Sequence, residues 1–170
     1  LKADLPTKIK DGTSAQAFLE DCINAEFAIA SLETNPSKRS PAAPFTTSTL
    51  QQEAGRKLGM SVKATMTVAQ RLYESGKITY MRTDSVNLSD FAREAAKDEI
   101  IASFGDKYSH PRVFKSKNKG AQEAHEAIRP TNMSVKSIEG ESSERRLYDL
   151  IWKRTLASQM SDAQLENTTA

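Results

Sequence analysis

Two short stretches of the 170-residue sequence carry side chains whose types and spacing suit chemistry on a phosphodiester. In KITYMRTDS, residues 77–85, Tyr80 and Arg82 stand two apart in a β-like run, with the polar cluster Thr83-Asp84-Ser85 behind them. Successive residues of an extended chain alternate faces, so the phenol and the guanidinium point into one space. In AQEAHEAIRPT, residues 121–131, His125 and Arg129 stand at i and i+4, on one face of a helical turn until Pro130 stops it. A phenol can attack phosphorus and form a covalent phosphotyrosine, which conserves the energy of the broken bond for resealing without ATP. Only about 0.1% of an ordinary phenol is ionised at pH 7, so a cation such as Arg82 favours the phenolate and stabilises charge on the non-bridging oxygens. A histidine can move protons or, when charged, hold a phosphate. Taken singly, each residue also has an ordinary role: strand packing for Tyr80, solvated surface for Arg82, an exposed helix position for His125.

Several other chemistries are excluded by spacing. HEAIR puts Arg129 where a zinc-protease helix needs its second histidine, and the chain holds only 2 histidines. There is no glycine-rich loop ending in Lys-Ser/Thr and no Gly-x-Ser-x-Gly elbow. Cys22 is the single cysteine, so neither an internal disulfide nor a cysteine-built zinc site forms within this chain. No apolar run of about 18 residues and no signal peptide occurs, and a soluble, cytoplasmic protein is expected. With 24 Lys+Arg against 22 Asp+Glu the net charge is +2, which says little about partners. The exception is RVFKSKNKG, residues 112–120, where Arg112, Lys115, Lys117 and Lys119 form a solvated loop or a polyanion contact. The chain begins at Leu1 and stops at LENTTA without a terminal signal, the expectation being a piece of a longer protein.

The elements that must position these groups read as mostly helical. Thr13 and Gln16 have capping-box spacing ahead of Phe18, Leu19, Cys22 and Ile23, and EFAIASLET, residues 26–34, reads as a strand. NPSKRSPAAP has three prolines in ten residues and reads as a linker. Ser48 and Gln51 can cap a helix that carries Leu50, Ala54 and Leu58 and ends at Gly59. Ser61 starts another, with Val62, Met66, Ala69, Leu72 and Tyr73 on one face, ending at Gly76. Two helices joined by a short turn and followed by a strand have the pattern of a winged helix-turn-helix. Asn87 or Ser89 caps a third helix through Phe104, a fourth covers roughly 143–160, and LENTTA could be a final strand. The expected fold class is mainly α: a helical domain with a winged-helix-like core, short strands at Tyr80 and at both ends.

ITYMRTDS, together with PFTTSTLQQEA (residues 44–54) and AQEAHEAIRPT in the same order, resembles bacterial DNA topoisomerase I, a type IA enzyme. The resemblance implies that Tyr80 is the nucleophile, joined to the 5′ phosphate of a cut single strand, with Arg82 positioning and neutralising that phosphate and His125 assisting. Arg82, His125 and Arg129 would contact DNA. Residues 1–39 would be part of an arch domain, 40–165 the helical tyrosine-bearing domain, and 166–170 a returning arch strand. The family's acidic Asp-x-Asp domain, which holds Mg²⁺, has no counterpart here, nor do its cysteine-rich zinc ribbons. Mg²⁺ is therefore expected in the full enzyme and no metal ligand within this chain. The implied partners are the single-stranded part of negatively supercoiled DNA in the nucleoid and the remaining domains of the same polypeptide, with no membrane. Tyrosine recombinases also use Tyr, Arg and His, but place His-x-x-Arg ahead of the tyrosine. The other alternative is a non-enzymatic winged-helix DNA-binding module reading bases with Lys63, Gln70 and Arg71. Tyr80 and Arg82 should share one face with His125 within roughly 10 Å, and the strand near 26–34 should lie beside 165–170.

Overall fold

The computed structural model describes residues 4, 5, 7–26, 28–114 and 125–170. The chain divides into two units, one formed by Leu1–Ser37 with Glu166–Ala170 and the other by Lys38–Leu165.

The first unit holds helix α1, Gly12–Ile23, and most of β1, Glu33–Arg39, and of β2, Ala163–Thr169, which pair with each other and whose other ends fall in the second unit. The Asp11 carboxylate caps α1 by accepting from the Ser14 N–H at 2.8 Å, in place of the Thr13 box expected from the sequence. Thr34 Oγ1 lies 3.0 Å from Thr168 Oγ1, and with strands of these bounds only an antiparallel register fits that contact. The strand expected at 26–34 thus sits further along, over residues read as linker. The reason is non-local: β1 follows the ladder offered by β2, and Pro36 is tolerated because a two-stranded sheet leaves each strand an open edge.

The second unit is built on helices α2 (Thr47–Leu58), α3 (Val62–Glu74), α4 (Asp90–Phe104) and α5 (Ser142–Ser158), with a short 3₁₀ turn at Asp106–Tyr108. Thr46 and Thr49 form a reciprocal capping box at the start of α2, so the cap falls two residues before the expected Ser48. Gly59, at φ 67°, closes the helix in the left-handed conformation that suits glycine. Ser61 caps α3 and Ser89 caps α4. The buried face of α3 is Thr65, Val68, Ala69 and Leu72, whereas Val62 and Tyr73, expected to be inward, are exposed.

Helix α5 is the central element. It packs against α2, α3 and α4 and buries Leu147, Tyr148, Ile151, Trp152 and Leu156. Burial of side chains of this size contributes about 1.5–3 kcal/mol each. Its two large aromatics also carry polar handles: the Tyr148 hydroxyl donates to the Val135 carbonyl at 2.7 Å and the Trp152 indole N–H to the Met133 carbonyl at 2.8 Å. Burial pushes the Tyr148 phenol up to about 12. The same core takes in Phe45, Ile78, Met81 and Ile128, each at most 1% exposed, so the stretches carrying Tyr80 and His125 are anchored to the helical body.

Candidate active site

The expected strand at Tyr80 is absent as a strand. Ile78 makes an isolated antiparallel bridge with Pro130, and the chain beyond it runs without a partner ladder. The alternation nevertheless survives in burial. Tyr80, Arg82 and Asp84 are exposed, while Met81, Thr83 and Ser85 between them are 1%, 8% and 3% exposed. Tyr80 and Arg82 consequently leave the same side of an extended segment, held by the inward anchors rather than by a sheet.

The histidine stretch differs more. Residues 125–127 are not helical, and Ile128 and Pro130 sit in isolated bridges to Phe45 and Ile78. Extended pairing wins over the helical turn because the N–H groups of Ala127, Ile128, Arg129 and Thr131 all find partners across the site. The Ala127 N–H donates to the Asn87 carbonyl at 2.8 Å, the Ile128 N–H to the Phe45 carbonyl at 2.8 Å, and the Thr79 N–H to the Arg129 carbonyl at 2.9 Å. The Thr79 hydroxyl adds a bond to the Ala127 carbonyl at 2.7 Å. The three stretches 44–54, 77–85 and 125–131 therefore meet, though far apart in sequence.

Their meeting forms two adjoining clefts. One, of about 630 Å³, is lined by Thr46, Thr47, Ser48, Arg82, Thr83, Asp84 and His125. The other, of about 200 Å³, is lined by Thr79, Tyr80, Thr83, His125 and Glu126. His125 and Thr83 belong to both, so the phenol and the guanidinium open on spaces that share the imidazole. Tyr80 is 43% exposed, and its ring packs edge-on against Tyr73, ring centroids 5.2 Å apart. Arg82 has no hydrogen bond or ion pair to any described residue, which leaves its donors available to an anion.

Arg129 behaves differently from the expected DNA contact. Its side chain is 11% exposed, bonded to the Glu126 carboxylate at 2.6 and 3.0 Å and to the Pro130 carbonyl at 2.9 Å. A guanidinium so committed holds the histidine stretch together and has little left to offer a phosphate. Arg112 is likewise engaged, with Asp162 at 2.7 Å and the Met160 carbonyl at 3.2 Å. The rest of the basic stretch, Lys115, Lys117 and Lys119, lies outside the described residues. On the exposed side of α3, Gln70 donates to Glu74 at 2.7 Å and Arg71 to Glu141 at 3.0 Å, so two of the three proposed base-reading side chains are bound within the protein.

Thr46, Thr47, Ser48, Thr79 and Glu126 are site residues that the sequence reading missed. The signal was present in the run FTTSTL, whose hydroxyls precede a helix, but nothing local said which cleft they would line. Among the described residues no three His, Cys, Asp or Glu side chains come together as a metal site. Asp84 is the carboxylate that lines the larger cleft, and alone it does not fit a Mg²⁺ ion.

Carboxylates tie this region down. For Glu126, burial pushes the carboxyl up but is outweighed by hydrogen bonds from Ser89 and Arg129, so it ionises below its usual range. Glu53, on α2, is lowered by its hydrogen bond from Lys57 against the cost of burial, with the Lys57, Arg56 and Arg154 charges adding. A carboxylate with a lowered folded value contributes stability above its unfolded pKa, and that contribution is lost as pH falls through the lowered value. The urea midpoint should therefore be flat near neutrality and fall below about pH 4.5. Glu53→Gln should cost about 2 kcal/mol at pH 7 and flatten the acid limb, an unchanged limb showing that these pairs do not govern it.

Such a helical body, presenting tyrosine, arginine and histidine at exposed clefts, has known counterparts. Residues 2–170 match the family model described as DNA topoisomerase. The chain is 51% identical over 164 residues to DNA topoisomerase 1 of Zymomonas mobilis, a match covering 95% of this chain and 13% of that protein. It is 49% identical over 154 residues to DNA topoisomerase 1 type prokaryotic of Acanthamoeba polyphaga mimivirus, covering 89% and 18%. The crystal structure of full-length topoisomerase I from Thermotoga maritima superposes with a TM-score of 0.76 at 39% identity, over 97% of this chain and 28% of that one. The chain belongs to the bacterial DNA topoisomerase I family, the type IA enzymes. It spans less than a fifth of the length of these curated relatives. No helix among the described residues is long and apolar enough to cross a membrane.

Proposed function

We propose that these residues are the tyrosine-bearing segment of a type IA DNA topoisomerase that cuts and reseals one DNA strand. The observation that carries this reading is the exposed Tyr80 phenol in a cleft with His125, beside a second cleft lined by His125 and by Arg82, whose guanidinium has no partner among the described residues. Tyr80 Oη attacks phosphorus, the P–O3′ bond breaks, and the phenolic proton leaves as the 3′ oxygen gains one. The protein is left joined to the 5′ phosphate. The reverse attack by the 3′ hydroxyl restores the strand, so no ATP is consumed. Arg82 balances charge on the non-bridging oxygens, and His125, reaching both clefts, orients the phosphate or carries a proton. Strand passage between the two steps would relax negative supercoils of nucleoid DNA in the cytoplasm.

In this reading the unit 38–165 is the helical tyrosine domain with a winged-helix-like core, and the paired strands belong to an arch completed by other parts of the polypeptide. Mg²⁺ would be held by an acidic domain elsewhere in the enzyme. The direct test offers the full-length enzyme a single-stranded oligonucleotide labelled at its 3′ end. After denaturation the label should remain on protein, and digestion should place the nucleotide on the peptide containing Tyr80. Capture of a 5′ label, or an adduct on another residue, would overturn the assignment.

The 170 residues alone should fail to relax a supercoiled plasmid even with Mg²⁺, because no metal site forms among the described residues and, in this reading, the domain that presents the phosphate in line lies elsewhere in the enzyme. Relaxation by the isolated chain, abolished by Tyr80→Phe, would place the whole machinery here instead.

A further inference from the structure

Arg82 differs from the other arginines around the site in how it is held. Arg129 and Arg112 are fixed by carboxylates at 2.6 and 2.7 Å, whereas no described residue holds the Arg82 guanidinium. Its placement must come from its own backbone. The peptide groups on either side of it converge on one side chain, the hydroxyl of Thr47 at the first position of α2. Thr47 Oγ1 accepts from the Thr83 N–H at 2.9 Å and donates to the Met81 carbonyl at 2.8 Å. The Thr83 carbonyl, 3.1 Å away, is the alternative acceptor and already takes the Thr47 N–H at 2.9 Å. One hydroxyl thus closes a small ring whose outermost residue is Arg82, while buried Met81 and Thr83 pin the two flanks.

We propose that Thr47 is a positioning residue for Arg82: its hydroxyl fixes the backbone from which the phosphate-binding guanidinium starts, and couples it to α2. The proposal rests on the tyrosine-transesterification reading above. Thr47 touches no reacting atom. Its contribution is to keep Arg82 in register with Tyr80 two residues earlier. Through Thr46 and Phe45 it also ties that register to the bridge with Ile128, three residues from His125. Loss of the hydroxyl leaves the Thr83 N–H and the Met81 carbonyl without their partner, and the Arg82 backbone relaxes. A misplacement of about 1 Å at a reacting centre can cost about a hundredfold in rate, while looser phosphate binding tolerates it.

The test uses the full-length enzyme and compares Thr47→Val, which keeps the shape without the hydroxyl, with Thr47→Ser, which keeps the hydroxyl. Single-turnover cleavage of a single-stranded oligonucleotide should fall about 10- to 100-fold in Thr47→Val and stay within about threefold of the parent in Thr47→Ser. Oligonucleotide affinity, measured in the Tyr80→Phe background so that no cleavage occurs, should change by less than about threefold in both. Tyr148→Phe, which removes one partly buried hydroxyl–carbonyl bond at a residue that lines neither cleft, serves as the stability control and should cleave like the parent. If Tyr80→Phe still forms the covalent adduct, the reading of the site is overturned. If Tyr80→Phe is inert but Thr47→Val cleaves like the parent, the positioning role alone is overturned. Thr47→Ser as slow as Thr47→Val would also overturn it, by assigning the effect to the methyl group.

Discussion

Tyr80→Phe in the full-length enzyme is expected to lose relaxation of negatively supercoiled plasmid, and the covalent adduct, by at least about a thousandfold. The substitution removes one oxygen and little else. The phenylalanine ring keeps the edge-on contact with Tyr73 at 5.2 Å, and a side chain already 43% exposed leaves no cavity. Folding stability should stay within about 0.5 kcal/mol of the parent, as for an ordinary surface change. Affinity for single-stranded DNA should shift by less than about threefold, because Arg82 and His125, the groups proposed to meet the phosphate, are untouched. The separation of effects is the informative part. Cleavage lost with binding and melting temperature retained identifies a nucleophile. Retained relaxation would show that another group attacks phosphorus, and cleavage lost together with binding would recast Tyr80 as a DNA-stacking residue.

How far the sequence disclosed this site depends on the range of the interactions involved. The shared face of Tyr80 and Arg82 was legible because alternation is local, and it holds even without a strand, since Met81 and Thr83 are drawn inward by the core. Ser61 and Ser89 were legible as caps for the same reason. The spacing of His125 and Arg129 misled. It fits a helix, but the bonds from Ala127, Ile128 and Arg129 go to Asn87, Phe45 and Thr79, partners that no local window contains. Arg129 then turned to Glu126, only three residues before it, a pairing the extended chain allows as readily as a helix would. The start of α2 shows the same limit. FTTSTL offers four hydroxyls, and the one that caps is set by Phe45, whose backbone is fixed by the bridge to Ile128. The strand β1 was misplaced because its register is dictated by β2, at the other end of the chain.

Phe45→Ala is expected to be the most damaging single change to the fold, at about 3–5 kcal/mol. Phe45 is fully buried, and three kinds of interaction converge on it. Its ring fills the core beside α2 and α5. The Arg154 guanidinium lies over that ring at 4.3 Å, a cation–π contact in a site shielded from water. Its carbonyl accepts from the Ile128 N–H at 2.8 Å, the bond that holds the histidine stretch against the helix carrying Thr47. Truncation to alanine opens a cavity, strips the cation of its aromatic face, and loosens the bridge on which the alignment of His125 with Tyr80 depends. A loss of this size is a large share of the 5–15 kcal/mol by which domains are usually stable. Phe45→Leu, which keeps most of the volume and the backbone bond, should cost only about 1–2 kcal/mol. Urea denaturation of the two variants followed by tryptophan fluorescence checks the order, since Trp152 is buried in the same core. A cost below about 1 kcal/mol for Phe45→Ala would mean that the bridge and the arginine contact are not what joins the three stretches. If the ordering holds, Phe45→Leu should retain cleavage while Phe45→Ala, assayed at low temperature where it remains folded, should be slowed through His125 rather than through Tyr80 itself.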